Sequence, residues 1–343
     1  MKRCPVLFVV FFLVMGLFIA SPMAVKAKTI NLRVASWMPA KSVDSAIADY
    51  WTKMIQERTK GRVKCTVYKA SALGFFKDHY DMAIKGISDI SFFSFGLNPG
   101  RFPISEALHL PFVVPSSAIG GKVFSQLYRE FAPLRAEFGE TQVLGLGTVD
   151  VWNIQSMKKP IKTMKDLKGL KIRVASGAAS ESVKALGGIP IGLPVPELYL
   201  SLQKGVVDGC VMSWEGIRSF KIYELLKYYT DAGGFTCLGQ GLFMNKGAWN
   251  KLPPDIQKIM GEESFNWWAE EKGKMFHDKW AGESKALVKK RGGQIYNLPP
   301  EEKKKWAAAL APVREAWVKR VAAKGVDGEK FLARAEELVK QYQ

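Results

Sequence analysis

Leu32-Arg33-Val34-Ala35-Ser36 and Ile172-Arg173-Val174-Ala175-Ser176 are two β-rich runs that agree at four of five positions. A second pair of matches follows in the same order: Tyr80, Lys85-Gly86 and Asp89 recur at identical spacing as Tyr199, Lys204-Gly205 and Asp208. One short identity arises readily by chance, whereas two in the same order predict a repeated architecture. In the first half, a strand over 30–36 is followed by helical apolar spacing over 42–59 and a strand over 63–68. A helix over 80–85, stopped by Gly86, then precedes a buried strand over 90–95. In the second half, a strand over 172–175 leads to a helix over 178–186 closed by Gly187-Gly188. A helix over 197–204 follows, with Pro196 in its first turn and Gly205 at its end, and then a strand over 206–212. Strands alternating with helices predict βαβ units and largely parallel sheets. The expected fold is α/β with two lobes, and ligands favour the cleft between such lobes at the carboxyl ends of parallel strands.

Outside these repeats, residues 255–278 have amphipathic spacing, with Ile256, Ile259, Phe265 and Trp268 on the apolar side, in a helix long enough to span both lobes. Charged helices over 300–324 and 329–342 are expected to pack outside the lobes. The N-terminus has the pattern of a Sec signal: Lys2-Arg3, an apolar stretch from Val6 to Ala20, and a cleavage site at Val25-Lys26-Ala27. Residues 1–27 are therefore read as a signal peptide that directs a soluble chain to the periplasm, with no stable membrane insertion after cleavage. Cys4 precedes the apolar stretch, so it is not a lipoprotein attachment site. The net charge of +18 would ordinarily suggest a nucleic-acid partner. Export and the lack of any RNA- or DNA-binding motif argue against one, and Lys289-Lys290-Arg291 and Lys303-Lys304-Lys305 read as solvated helix faces.

Cys65, Cys210 and Cys237 form no short-spaced framework; buried free thiols are expected, with one bridge possible. His79, His109 and His277 include no ligand pair, and neither a metal nor a cofactor is expected. The chain has no G-x-S-x-G elbow, P-loop or H-E-x-x-H motif, and Leu144-Gly145-Leu146-Gly147 lacks the third glycine of a dinucleotide site. Asp208 reads as a capping group. The chain is accordingly expected to be a binding protein and not an enzyme.

Arg173 is the leading binding candidate. Leu170, Ile172 and Val174 share one side of its strand, and Arg173 lies near the carboxyl end, where a guanidinium can hold a carboxylate through two parallel hydrogen bonds. The next helix begins within a few residues, so Ser176, Gly177 and Ala178 can offer backbone donors. An Arg of this pattern more commonly sits in a salt bridge or in solvent. Trp37, Phe95, Trp152 and Trp214 each follow or end a strand-like run, and Phe95 and Trp214 stand fifteen positions beyond Tyr80 and Tyr199. They could wall an apolar pocket, although single rings more commonly fill cores. Trp267 and Trp268 are assigned to helix packing.

Leu167-Lys168-Gly169-Leu170-Lys171-Ile172-Arg173-Val174 and the segment from Pro196-Glu197-Leu198-Tyr199 to Val207-Asp208-Gly209 resemble the DctP-type solute-binding proteins of tripartite ATP-independent periplasmic (TRAP) transporters. Ser71-Ala72-Leu73-Gly74, Gly86-Ile87-Ser88-Asp89-Ile90, Leu110-Pro111-Phe112 and Met244-Asn245-Lys246 fall in family order. The resemblance implies a two-lobed periplasmic-binding-protein-like fold with crossing strands and a long spanning helix. It places lobe I at 28–150 and about 238–277, lobe II at 151–237 and about 278–325, and a C-terminal helix at 326–343. It also implies capture of an organic acid and delivery to small and large membrane permease subunits, with Arg173 as the carboxylate anchor. Three positions depart from the family pattern. Asn153 stands where many members have a second arginine, Met212 near where many have Asn, and Ser94 where sialic-acid-binding members have a glutamate. Loss of polar anchors with retained aromatics points to a monocarboxylate with an apolar or aromatic body. A periplasmic enzyme on a bilobed scaffold and a ligand-sensing subunit for a receptor kinase are the rival readings.

Overall fold

The computed structural model describes residues 29–343, so the signal segment 1–27 lies outside the described residues. The strands of the first half are β1 (Ile30–Ser36), β2 (Val63–Tyr68), β3 (Ile90–Phe93), β4 (Thr141–Thr148) and β5 (Trp152–Ser156). Those of the second half are β6 (Lys171–Val174), β7 (Ile189–Gly192), β8 (Gly209–Ser213), β9 (Tyr228–Asp231), β10 (Gly239–Asn245) and β11 (Gln294–Asn297). They form two sheets, ordered β2-β1-β3-β10-β4 and β7-β6-β8-β5-β9-β11. In each sheet the first three strands are parallel, and the fourth, β10 or β5, runs antiparallel to them. Each lobe thus receives its fourth strand just after the chain has crossed from the other lobe.

The repeated Asp has a structural role in both lobes. Asp89 Oδ2 accepts the Arg33 N–H at 2.8 Å, and Asp208 Oδ2 accepts the Lys171 N–H at 2.9 Å. Their backbone N–H groups return the bond to the Arg33 and Lys171 carbonyls. Each carboxylate therefore ties the start of a central strand to its neighbour. The same geometry corrects the register read from sequence. Val34 pairs with Ile90, and Ile172 with Gly209, so Ala35 and not Arg33 is the counterpart of Arg173. The Arg-Val-Ala-Ser identity is out of structural step by two residues, although the topological repeat holds. The helices that precede β3 and β8 (His79–Lys85 and Val195–Gln203) are followed by Gly86 and Gly205 in the left-handed region, φ 70° and 69°. After Gly205, the Val206 N–H turns back to the Ser201 carbonyl at 2.9 Å, so β8 starts at Gly209 and not at 206.

Replacing Asp208 with Ala leaves the Lys171 N–H without its acceptor and removes the 2.6 Å ion pair to Lys158. A loss of about 1–3 kcal/mol in urea unfolding is expected. Burial opposes ionisation of Asp208, but Lys158 and the Lys171 N–H together hold its carboxyl below the ordinary range. The stability it contributes is therefore present at neutral pH and lost as pH falls through that lowered value, so the difference between wild type and variant should shrink in acid.

Three connections join the lobes ahead of the C-terminal helices. Residues 149–152 and 236–238 cross side by side, with the Trp152 N–H donating to Thr236 O at 2.7 Å and the Val149 N–H to Leu238 O at 2.9 Å. The third is a helical run over 254–290, longer than the 255–278 expected, with two π-helical stretches at Ile259–Glu263 and Gly273–Asp278. The C-terminal helices do more than form an outer layer. Pro300–Ala322 buries Trp306, Leu310 and Trp317 and packs on Gly177–Ala185, while Gly328–Tyr342 packs on Ser117–Glu130 of the first lobe. Trp317 Nε1 donates to Pro103 O at 2.7 Å, fixing this strap to the first lobe as well. Cys65, Cys210 and Cys237 are free thiols. No described helix is long and apolar enough to cross a membrane.

Candidate functional site

The site forms where β6 ends. Residues 171–174 alternate faces, and Gly177–Ala185 begins three residues after β6, with the Ser176 hydroxyl accepting the Ala179 N–H at 3.3 Å. A cavity of about 390 Å³ opens there between the lobes. Trp37, Phe76, Leu97 and Pro99 line it from the first lobe; Arg173, Ser176, Gly177 and Val195 are among its lining from the second. A deeper recess of about 50 Å³ shares Trp37, Leu97, Arg173 and Val195 with this cavity, and is closed by Trp152, Met212, Ser94, Asp44, Glu215 and His277.

Arg173 stands at the junction and is only 1% exposed. Its Nε donates to the Leu193 carbonyl at 3.0 Å, which fixes the plane of the guanidinium, while Nη1 has no hydrogen-bond partner. Burial lowers its pKa to about 10, which leaves it cationic at neutral pH, and no carboxylate contributes to that balance. Buried charges are normally paired, because desolvation costs several kcal/mol. A buried guanidinium with no acidic partner and an unbonded Nη1, at the edge of a mostly apolar cavity, has the chemistry to pair with an anion.

Five of the eight residues singled out from sequence surround this space: Arg173, Trp37, Trp152, Met212 and Ser94. The other three do not. Asn153 pairs with Met212 and so shares the sheet face of Met212 and Arg173, but it lines neither cavity, and its Oδ1 accepts the Ala232 N–H at 2.9 Å. Phe95 packs among Phe124 and Phe138, with ring centroids 5.4 and 5.3 Å away. Trp214 is fully buried, stacked on Tyr229 at 5.5 Å. The equivalence of Phe95 and Trp214 therefore reflects two lobe cores and not two walls of the cleft. Trp37 does bridge the lobes, lying 6.5 Å from Phe220.

Sequence reasoning missed Asp44, Glu215 and His277, which come from three distant segments. Glu215 Oε1 accepts the Val43 N–H at 3.1 Å, so a second-lobe carboxyl caps the first-lobe helix Val43–Arg58. Asp150, on the crossing, accepts the Glu215 N–H at 3.1 Å, and Asp278 accepts the Ser117 and Ala118 N–H groups, both at 2.9 Å. Lys272, fully buried, donates to the Thr148 carbonyl at 2.8 Å. Burial pushes the Asp44, Asp150 and Glu215 carboxyls up and the Lys272 ammonium down. His277 is held neutral by burial and by the nearby Lys272. Among the described residues, no group of three or more His, Cys, Asp or Glu side chains is placed to hold a metal ion.

The family model for bacterial extracellular solute-binding protein, family 7 (DctP), matches residues 34–320. The chain is 26% identical over 326 residues to the outer membrane transporter protein TsaT of Comamonas testosteroni, covering 92% of this chain and 94% of that one. It resembles a marine-metagenome TRAP solute-binding protein specific for aromatic acid ligands, crystallised with 3-hydroxybenzoate: TM-score 0.87, 26% identity, 92% of this chain and 99% of that one. It also resembles a TRAP solute-binding protein of Rhodoferax ferrireducens with copurified benzoate: TM-score 0.86, 28% identity, 91% and 98% covered.

Proposed function

The chain belongs to the bacterial extracellular solute-binding proteins of family 7, and from that premise we propose that it captures a monocarboxylate with an apolar or aromatic body for a TRAP transporter. The observation that carries this reading is the buried guanidinium of Arg173, with no acidic partner and Nη1 unbonded, at the edge of a mostly apolar interlobe cavity. The benzoate and 3-hydroxybenzoate found in similar proteins support the same ligand class. The carboxylate pairs with Arg173 on the second lobe, while Trp37 and Leu97 of the first lobe cover the body of the ligand. Closure brings both lobes onto one molecule, and the ligand shifts the open–closed balance only by its preference for the closed form. Release follows when the small and large permease subunits favour opening. The chain works in the periplasm after export, and its cycle involves no covalent chemistry.

A thermal-shift panel tests the ligand class. Benzoate and mandelate at about 1,000 times their Kd should add about 4 kcal/mol and raise Tm by several degrees, and succinate should not. Stabilisation by succinate alone would replace the monocarboxylate reading with a dicarboxylate one. Recovery of a chemically altered acid after incubation would favour an enzyme.

A further inference from the structure

The recess beyond Arg173 has a polar end built from three distant segments. Asp44 comes from the first turn of Val43–Arg58, Glu215 from the first turn after β8, and His277 from the π-helical stretch of the interlobe helix. Asp44 is only 4% exposed, and its Oδ1 has no hydrogen-bond partner. None of its neighbours bonds it. Lys272 Nζ donates to Thr148 O, and Glu215 Oε1 accepts from the Val43 N–H and the Ser219 hydroxyl. His277 Nε2 stands 3.5 Å from Asp44 Oδ1 but meets the side-chain amide of Gln240 at 2.5 Å. An unsatisfied buried carboxyl is costly, and it lines the same recess as Arg173, whose Nη1 is also unbonded.

The surrounding backbone is shaped to hold this arrangement. Lys272 and His277 are five residues apart, and a regular α-helix would turn them about 140° from each other. The i→i+5 bonding of Gly273–Asp278 brings them toward one face, where both are buried.

We propose that Asp44 reads the far end of the ligand, bonding a hydroxyl carried opposite the carboxylate, with His277 and Lys272 as positioning residues. This rests on the reading of the cleft as a site for an aromatic or apolar carboxylate. Three chemical groups compete for the recess, and two are disfavoured. A second carboxylate would face Asp44 and Glu215, and an ammonium would be stripped of water beside two carboxyls that burial pushes toward their neutral form. A hydroxyl is neutral, offers the donor that Asp44 Oδ1 lacks, and fits a space of about 50 Å³. A site built to bond a hydroxyl discriminates against the analogue without it, because its own buried group then goes unpaired.

Calorimetry with benzoate, 3-hydroxybenzoate and 4-hydroxybenzoate tests this. The wild type should bind at least one hydroxybenzoate roughly ten- to hundred-fold more tightly than benzoate, the range for a buried polar group that would otherwise go unpaired. Asp44→Ala and Asp44→Leu should weaken that acid more than benzoate and bring the ratio to within about three-fold of one; the Leu variant preserves volume if truncation unfolds the chain. A wild-type ratio near one overturns the assignment, as does a ratio preserved in either variant. Failure of all three acids to bind the wild type removes the aromatic-carboxylate reading itself, and the assignment of Asp44 with it.

Discussion

Replacing Arg173 with Ala is expected to weaken carboxylate binding by roughly thirty- to several-thousand-fold while leaving the ligand-free protein as stable as before, or more so. Removing one partner of a buried, hydrogen-bonded charge pair costs about 2–5 kcal/mol of affinity, and each 1.4 kcal/mol is about ten-fold in Kd. The stability half of the prediction separates a receptor from a strut. In the ligand-free chain the guanidinium is buried, has one hydrogen bond through Nε, and has no acidic partner. Its removal deletes an uncompensated charge, which tends to stabilise. Were Arg173 structural, its loss would instead lower Tm as a broken buried pair does. Arg173→Lys should recover only part of the affinity, because an ammonium keeps the charge but not the planar fork. Calorimetry gives the affinity and an apo melting curve gives the stability. Undiminished binding in Arg173→Ala would remove the anchor from the site.

Much of the frame is visible in sequence because local chemistry specifies it. Gly86 and Gly205 mark helix ends where the backbone goes left-handed, and the aspartates three residues on tie neighbouring strands in both lobes. Arg173 is visible for a related reason: the alternation of its strand and the start of the next helix place it at a carboxyl edge. The same local signals mislead where tertiary pairing decides. The Arg-Val-Ala-Ser identity invites an alignment that strand register shifts by two, and the spacing that equates Phe95 with Trp214 says nothing about which side of the sheet receives them. Asn153 shares the sheet face of Met212 and Arg173, yet it lines no cavity, because its Oδ1 is taken up by the Ala232 N–H of the neighbouring segment. The polar end of the recess had no sequence signature. Asp44, Glu215 and His277 meet only after two crossings and a π-helical stretch have brought three segments together. No spacing rule connects them.

The second large effect is expected at Gly209, the glycine that follows the second-lobe aspartate. Its φ is not in the left-handed region, so conformational freedom does not explain it. Space does: a Cβ built there would lie 2.0 Å from the Gln155 carbonyl oxygen and 3.1 Å from Ser156 Cα, both backbone atoms of β5. At the matching place in the first lobe, Ile90 carries a full side chain opposite Met244 of β10, so the restriction belongs to the way β5 approaches β8. Gly209→Ala must separate two hydrogen-bonded strands inside a six-stranded sheet, and neither is an edge. A loss of about 3 kcal/mol is expected in urea unfolding, at the upper end for overpacking. Hydrogen exchange should rise in β5, β6 and β8 before it rises in β1 to β3. The consequence reaches the ligand, because β6 pairs with β8 through Ile172–Gly209 and Arg173–Cys210. Any displacement of β8 therefore moves Arg173, and carboxylate affinity should fall even in the fraction that remains folded. An unchanged unfolding midpoint would mean that β5 yields at little cost, and the close approach would then have no part in holding Arg173 at the cleft.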